Sequence, residues 1–117
     1  MKKFIQIVAV CFSVCLILAG CNNGSNSSTV ENSGPQRDTV IIKLMAFTPD
    51  TLTVNKGDTV VWINQDIVAH DVSHFPDRAW HSDTLNPQNV FVKVIDDSSS
   101  YFCSIHPTMR ATVLLKK

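Results

Sequence analysis

No apolar run in this chain is long enough to span a bilayer comfortably. The longest, Phe4 to Ala19, has 16 residues interrupted by Gln6 and Ser13, against about 20 for a transmembrane helix. That length argues against a permanent membrane helix. With Lys2 and Lys3 ahead of it, the run reads as a secretory signal spanning residues 1–20. A basic stripe is missing too. Once Lys2 and Lys3 are set aside, eight basic residues face ten acidic ones, a net charge of −2, and nucleic acid is excluded as a partner. No twelve-residue window carries a helical stripe and no internal repeat is evident, so helical bundles and solenoids drop out.

A disulfide is absent too. Cys11 and Cys15 fall inside the signal, and Leu18-Ala19-Gly20-Cys21 resembles the bacterial lipobox, whose cysteine is acylated and becomes the mature N terminus. That likeness implies a lipidated Cys21 and an exported protein anchored to the lipid bilayer, on the periplasmic or cell-surface side of a bacterial membrane. Each buried methylene contributes about 0.8 kcal/mol, so several acyl chains hold firmly. Only Cys103 is then left in the folded part. A solitary thiol in an oxidising compartment is a liability unless something occupies it.

Residues 22–38 are rich in Asn, Ser and Gly with hardly an apolar side chain, too polar to order themselves by burial. Together with Cys21 they read as a flexible tether over 21–38, with an r.m.s. span of about 20–25 Å. From Thr39 the texture changes to alternation, the mark of half-buried strands. Val40, Ile42 and Leu44 share one face, and Leu52 and Val54 another. Val60, Trp62 and Asn64 alternate with Thr59, Val61 and Ile63; Val90, Val92 and Val94 repeat the pattern; Ala111 to Leu115 is a continuous apolar run. Turn signals separate these segments at Thr48-Pro49-Asp50, Asn55-Lys56-Gly57-Asp58 and the cluster Asp96 to Ser100. The 79 residues from 39 to 117 suit one small all-β domain, a Greek-key β-sandwich. A core of this size is marginal without disulfides, so an ion bound by the folded state would help it.

The ion has candidate ligands. Cys103, His106 and Met109 are spaced by three, between a strand ending at Phe102 and one starting near Ala111. A stable site wants a further donor, and His70 supplies it from the loop after the strand ending at Asn64. Two imidazoles, a thiolate and a weak thioether match a trigonal His₂Cys plane with a long axial Met, the blue-copper electron-transfer arrangement. Zinc binds such a set as well, but a thioether is a poor fourth ligand for it.

The ordered pattern goes further than the ligands. Phe47, Pro49, Leu52, Val54, Gly57, Asp58, Val60, Trp62 and Asn64 are followed by His70, Trp80-His81-Ser82, Leu85, and Tyr101-Phe102-Cys103 with His106 and Met109. In this order they resemble the cupredoxins, with a short ligand loop like that of amicyanin and plastocyanin. The resemblance covers essentially all of 39–117. It implies one copper ion cycling between Cu(II) and Cu(I), held strongly by His70, Cys103 and His106 and weakly by Met109. It also implies that His106 is the ligand nearest solvent, ringed by Pro107 and other apolar residues as a docking patch for a redox protein, such as a cytochrome or a copper enzyme.

Asp71 departs from the pattern, standing where many relatives have Asn. An ionised Asp71 favours Cu(II) and lowers the potential, whereas a protonated one imitates the amide. His74 and His81 read as exposed loop residues which, with Asp71 and Asp77, offer a second, weaker copper contact. Trp62 reads as core. The leading function is a monomeric, membrane-anchored one-electron carrier, not an enzyme. The alternative is a copper-binding or delivery protein whose cargo is the ion. A Cys103–His106 thiol enzyme ranks below both, since it leaves His70 and Met109 without a role and a small sandwich offers little cleft.

Overall fold

The computed structural model describes residues 34–117. The readings of the signal, of Cys21 and of the tether up to residue 33 fall outside the described residues. Eight strands follow in order: β1 (Arg37–Lys43), β2 (Ala46–Thr48), β3 (Thr51–Val54), β4 (Thr59–Asn64), β5 (Ser73–His74), β6 (Val90–Val94), β7 (Ser99–Phe102) and β8 (Arg110–Leu115). No helix occurs among the described residues. The described domain is all-β.

The strands form two four-stranded sheets, β2-β1-β4-β6 and β3-β8-β7-β5. Most neighbours are antiparallel, but β1 runs parallel to β4 and β3 parallel to β8. Parallel neighbours cannot be joined by a tight turn. The chain therefore leaves one sheet after β2, enters the other as β3 and returns as β4, so that the two sheets enclose one core. Gly57, at φ 90°, makes the β3–β4 turn possible, in a backbone region that L side chains rarely adopt. Asp58 then fastens that turn, accepting hydrogen bonds from the backbone N–H of Gln36 and of Asn55 and from the Asn55 amide.

Alternation places the core. Val40 and Ile42 of β1 and Val60, Trp62 and Asn64 of β4 are fully buried. Val54, Tyr101, Ala111 and Val113 close from the other sheet. Trp62 is the centre of an aromatic cluster, with ring centroids 5.5 Å from Phe91, 5.5 Å from Tyr101 and 6.4 Å from Trp80. Burying rings of this size supplies much of what a small sandwich gains on folding.

Four details differ from the sequence reading. β1 begins at Arg37, two residues ahead of Thr39, because residues 37 and 38 pair with Thr59 and Val60. Leu44 is not on the inner face but 82 % exposed, since β1 ends at Lys43 and Leu44 turns at φ 52°. In β6 the valines point outward, each about half exposed, while Phe91 turns in against Trp62. A ring offers more burial than a valine, and it decides the face. The turn at Asp96 ends by Ser98, and Ser99 and Ser100 already belong to β7.

Candidate metal centre

β4 ends at Asn64 and β7 at Phe102, and the loops that follow them meet. The first loop is organised by Asn64, whose buried amide donates to the carbonyls of Val68 and Leu85 while its oxygen accepts from the backbone N–H of Asp66. His70 is held by paired backbone hydrogen bonds with Leu85, 3.1 and 2.8 Å long. Two residues on, Val72 and the buried Ser82 are joined by two more bonds. The second loop closes on itself: the Cys103 N–H donates to the Met109 carbonyl and the Met109 N–H to the His106 carbonyl. Both loops hold their functional side chains through backbone bonds.

Three donor atoms converge there. Cys103 Sγ lies 3.8 Å from His70 Nδ1 and 3.7 Å from His106 Nδ1, and the two nitrogens are 3.2 Å apart. Residues 33 and 36 positions apart along the chain thus form a compact triangle. The point equidistant from the three atoms lies about 2.1 Å from each, close to the 2.0–2.1 Å of a metal–imidazole bond and slightly inside the 2.3 Å of zinc–thiolate. Without a cation, two ring nitrogens and a sulfur face one another with few protons to share. The residues present fit a late first-row metal ion. Met109 is buried at the far end of the same loop, 3 % exposed, within the hydrophobic core cluster.

The outer partners orient the rings. His70 is fully buried, and its Nε2 lies 3.1 Å from Asp66 Oδ2. A carboxylate accepts, so the proton sits on Nε2 and Nδ1 presents its lone pair to the triangle. Hydrogen bonds from the N–H groups of Met45 and Ile67 hold the Asp66 carboxyl below the usual carboxylate range. Asp66 had no role in the sequence reading, and a carboxylate four residues before a histidine in a loop carries no periodic signal that would reveal it.

Asp71 answers the question its substitution raised. Burial pushes its carboxyl up, but hydrogen bonds from the Ser104 and Ser73 hydroxyls more than offset this, and the group lies below its ordinary range. The N–H of Ser104 donates to the other oxygen. All these partners donate, which suits an ionised acid and leaves nothing for a carboxyl proton to do. The Asp71 N–H points at Cys103 Sγ, 3.4 Å away. Burial raises the Cys103 thiol above its ordinary value in the metal-free protein, and that N–H only partly offsets the rise.

His74 and His81 are not gathered into a second site. Among the described residues the compact donor group is His70, Cys103 and His106. His74 Nδ1 is hydrogen-bonded to Asp77 and His81 Nδ1 to the Ser82 carbonyl. His81 is exposed as expected; His74 belongs to the short strand β5 and is only partly exposed. Trp62 is core, with Trp80 half-covering it from the edge.

A family model described as copper binding proteins, plastocyanin/azurin family, matches residues 37–116. Amicyanin of Paracoccus versutus is 26% identical over 88 residues, covering 68% of this chain and 66% of that protein, so the chain spans just under two thirds of that relative. The reduced Cu(I) form at pH 4 of an amicyanin variant is 26% identical, with a TM-score of 0.63 over 71% of this chain and 83% of the other. A purple cupredoxin from Nitrosopumilus maritimus shares the fold at 24% identity, with a TM-score of 0.63 over 68% of this chain and 99% of the other.

Proposed function

The chain belongs to the plastocyanin/azurin family of copper-binding proteins, and from that premise we propose that it is a lipid-anchored one-electron carrier whose copper is held by His70, Cys103, His106 and Met109. Bound copper supplies the chemistry, a change between Cu(II) and Cu(I) that the mixed nitrogen and sulfur donor set tolerates in both states. The chain's own residues supply rigidity. Paired backbone bonds at His70, the closed 103–109 loop and the Asp66 carboxylate fix the donors before any ion arrives. Donors that need not move between oxidation states keep the reorganisation accompanying electron transfer small.

The surface supports a carrier that docks briefly. His70 is sealed in the interior, whereas His106 is partly exposed, so the electron's route to a partner runs through the His106 ring. Around that end of the molecule Ile105 and Met45 are about half exposed, and Leu44 and Ile67 more than four fifths. Met45 is tied to the His70 loop through Asp66. An apolar patch of this kind suits a redox protein that binds without a long residence time. Cys21 as lipid anchor, followed by the tether read over residues 22–38, of which 37 and 38 belong to β1, would keep the domain near membrane-bound partners. Catalysis is not part of the proposal.

The convergence of three donor atoms from two loops carries this reading. Its test is a visible spectrum recorded while Cu(II) is added to the metal-free protein. An intense orange-red band is expected at one equivalent, absent in Cys103→Ser; correctly folded protein without such a band would refute the proposal. Reversible redox cycling with copper retained is the carrier's behaviour. Rapid copper transfer to a metal-free acceptor would instead establish a delivery protein.

A further inference from the structure

Among the described residues two carboxylates are buried, Asp58 and Asp71, and Asp71 is the one beside the donor triangle. A buried carboxylate must be compensated or it destabilises the fold. Its hydroxyl and N–H partners donate hydrogen bonds but carry no charge. A counter-charge is offered by Arg78, whose guanidinium is about half exposed and whose Nη2 lies 3.5 Å from Asp71 Oδ2. The same guanidinium donates through Nε to Ser73 Oγ at 3.3 Å, and Ser73 Oγ in turn donates to Asp71 Oδ2 at 2.7 Å. Arg78 thus braces the carboxylate and one of its partners together.

The local backbone is shaped for this. The Arg78 N–H donates to the His74 carbonyl, and Arg78 adopts φ 55°, a turn that carries its side chain back over β5 towards Asp71. The carboxylate also holds Ser104, the residue after Cys103, whose N–H donates to Oδ1 and whose hydroxyl donates to Oδ2. One contact chain therefore runs from Arg78 through Asp71 to the loop that carries two of the donors, while the Asp71 N–H touches the sulfur itself.

We propose that Arg78 is a positioning residue for the metal centre, its guanidinium neutralising the Asp71 carboxylate and clamping it against Ser73 and Ser104 so that an acid can join the two donor loops. This rests on the copper reading of the site. The pair also sets the charge seen by the centre. An unneutralised carboxylate next to the thiolate would favour the higher oxidation state, and Arg78 opposes that bias.

A double-mutant cycle tests the clamp, using R78Q, D71N and the combined variant, with R78K as the conservative control. Glutamine keeps an L side chain at φ 55°, so the backbone cost is unchanged. In the metal-free protein R78Q should lower the thermal midpoint, and adding D71N should recover most of the loss, because the stranded charge is gone. In the copper-loaded protein R78Q should shift the one-electron equilibrium towards the oxidised form by roughly threefold to tenfold, tenfold being 59 mV for one electron. In the D71N background the same substitution should shift it much less, and R78K should keep most of the wild-type potential. Equal R78Q effects in both backgrounds, in both readouts, would overturn the proposal. Wild-type protein without a copper–thiolate band would refute the functional reading instead. The metal-free cycle would then decide the clamp alone, zero coupling overturning it.

Discussion

Cys103 stands under opposing demands. Burial holds its thiol protonated above the ordinary value, yet a metal ligand must be a thiolate. Copper uptake near neutral pH should therefore release a proton from Cys103. The apparent affinity should rise by roughly tenfold per pH unit below the thiol's folded pKa, measurable by competition with a chelator at several pH values. In the metal-free domain the raised thiol contributes stability that is present below its unfolded value of about 9 and lost as pH rises through the folded one. Asp66 is the second residue to test. Asp66→Ala releases the Nε2 proton of His70 from its acceptor and cuts the tie to Met45. Outer partners of metal-bound histidines are typically worth ten- to a hundredfold in affinity, and a loss of that size is expected, with the spectrum retained. Cys103, His106 and Met109 could be read from the chain because a close spacing of soft donors is a local pattern. The roles of Asp66, Asn64 and Ser73 could not, because their hydrogen bonds depend on how the loop backbone turns, which no spacing along the chain announces.

At the level of elements, β4 and β7 meet through Trp62 and Tyr101, whose rings stand edge to face. Both polar atoms, Trp62 Nε1 and Tyr101 Oη, are buried without a well-formed hydrogen bond. Burial pushes Tyr101 up to about 12, and the indole N–H offsets this only in part. The two substitutions should therefore diverge. Trp62→Ala removes the centre of the aromatic cluster and should cost about 3–5 kcal/mol in denaturant unfolding. Tyr101→Phe removes a buried, poorly satisfied hydroxyl while keeping the ring, and should stay within about 1 kcal/mol of the parent protein or exceed it in stability. The strands themselves were largely legible, because alternation is a property of each segment. Which face turned inward was not always so. In β6 the valines read as readily as a core face as Phe91, and the nearness of Trp62 and Trp80 settled it. The two-residue β5 was invisible, since it exists only by pairing with residues 101 and 102.

For the molecule as a whole, acid and metal act on stability in opposite directions. Hydrogen bonds hold Asp58, Asp66, Asp71 and Asp77 below their ordinary value of 3.8. Each contributes stability that is present above about pH 3.8 and lost as pH falls through its lowered folded pKa. The metal-free domain should hold its thermal midpoint down to roughly pH 4 and lose it steeply below, which thermal unfolding monitored by circular dichroism would follow. Free copper at about a hundred times its dissociation constant should add about 2.7 kcal/mol if the unfolded chain does not compete. No such gain is expected in Cys103→Ser.

The sequence alone determined the all-β architecture, the run of half-buried strands and the candidate donors Cys103, His106 and Met109, because period-two burial and donor spacing are written along the chain. Only the tertiary structure decided that β1 lies parallel to β4, that the Nδ1 atoms of His70 and His106 face one sulfur, and that Asp71 meets Ser104 on one side of the chain and Arg78 on another. Those facts join residues that are neighbours only once both sheets have closed. Strand pairing, donor distances and the field around a buried charge depend on atoms from distant segments, and no single stretch of chain contains them.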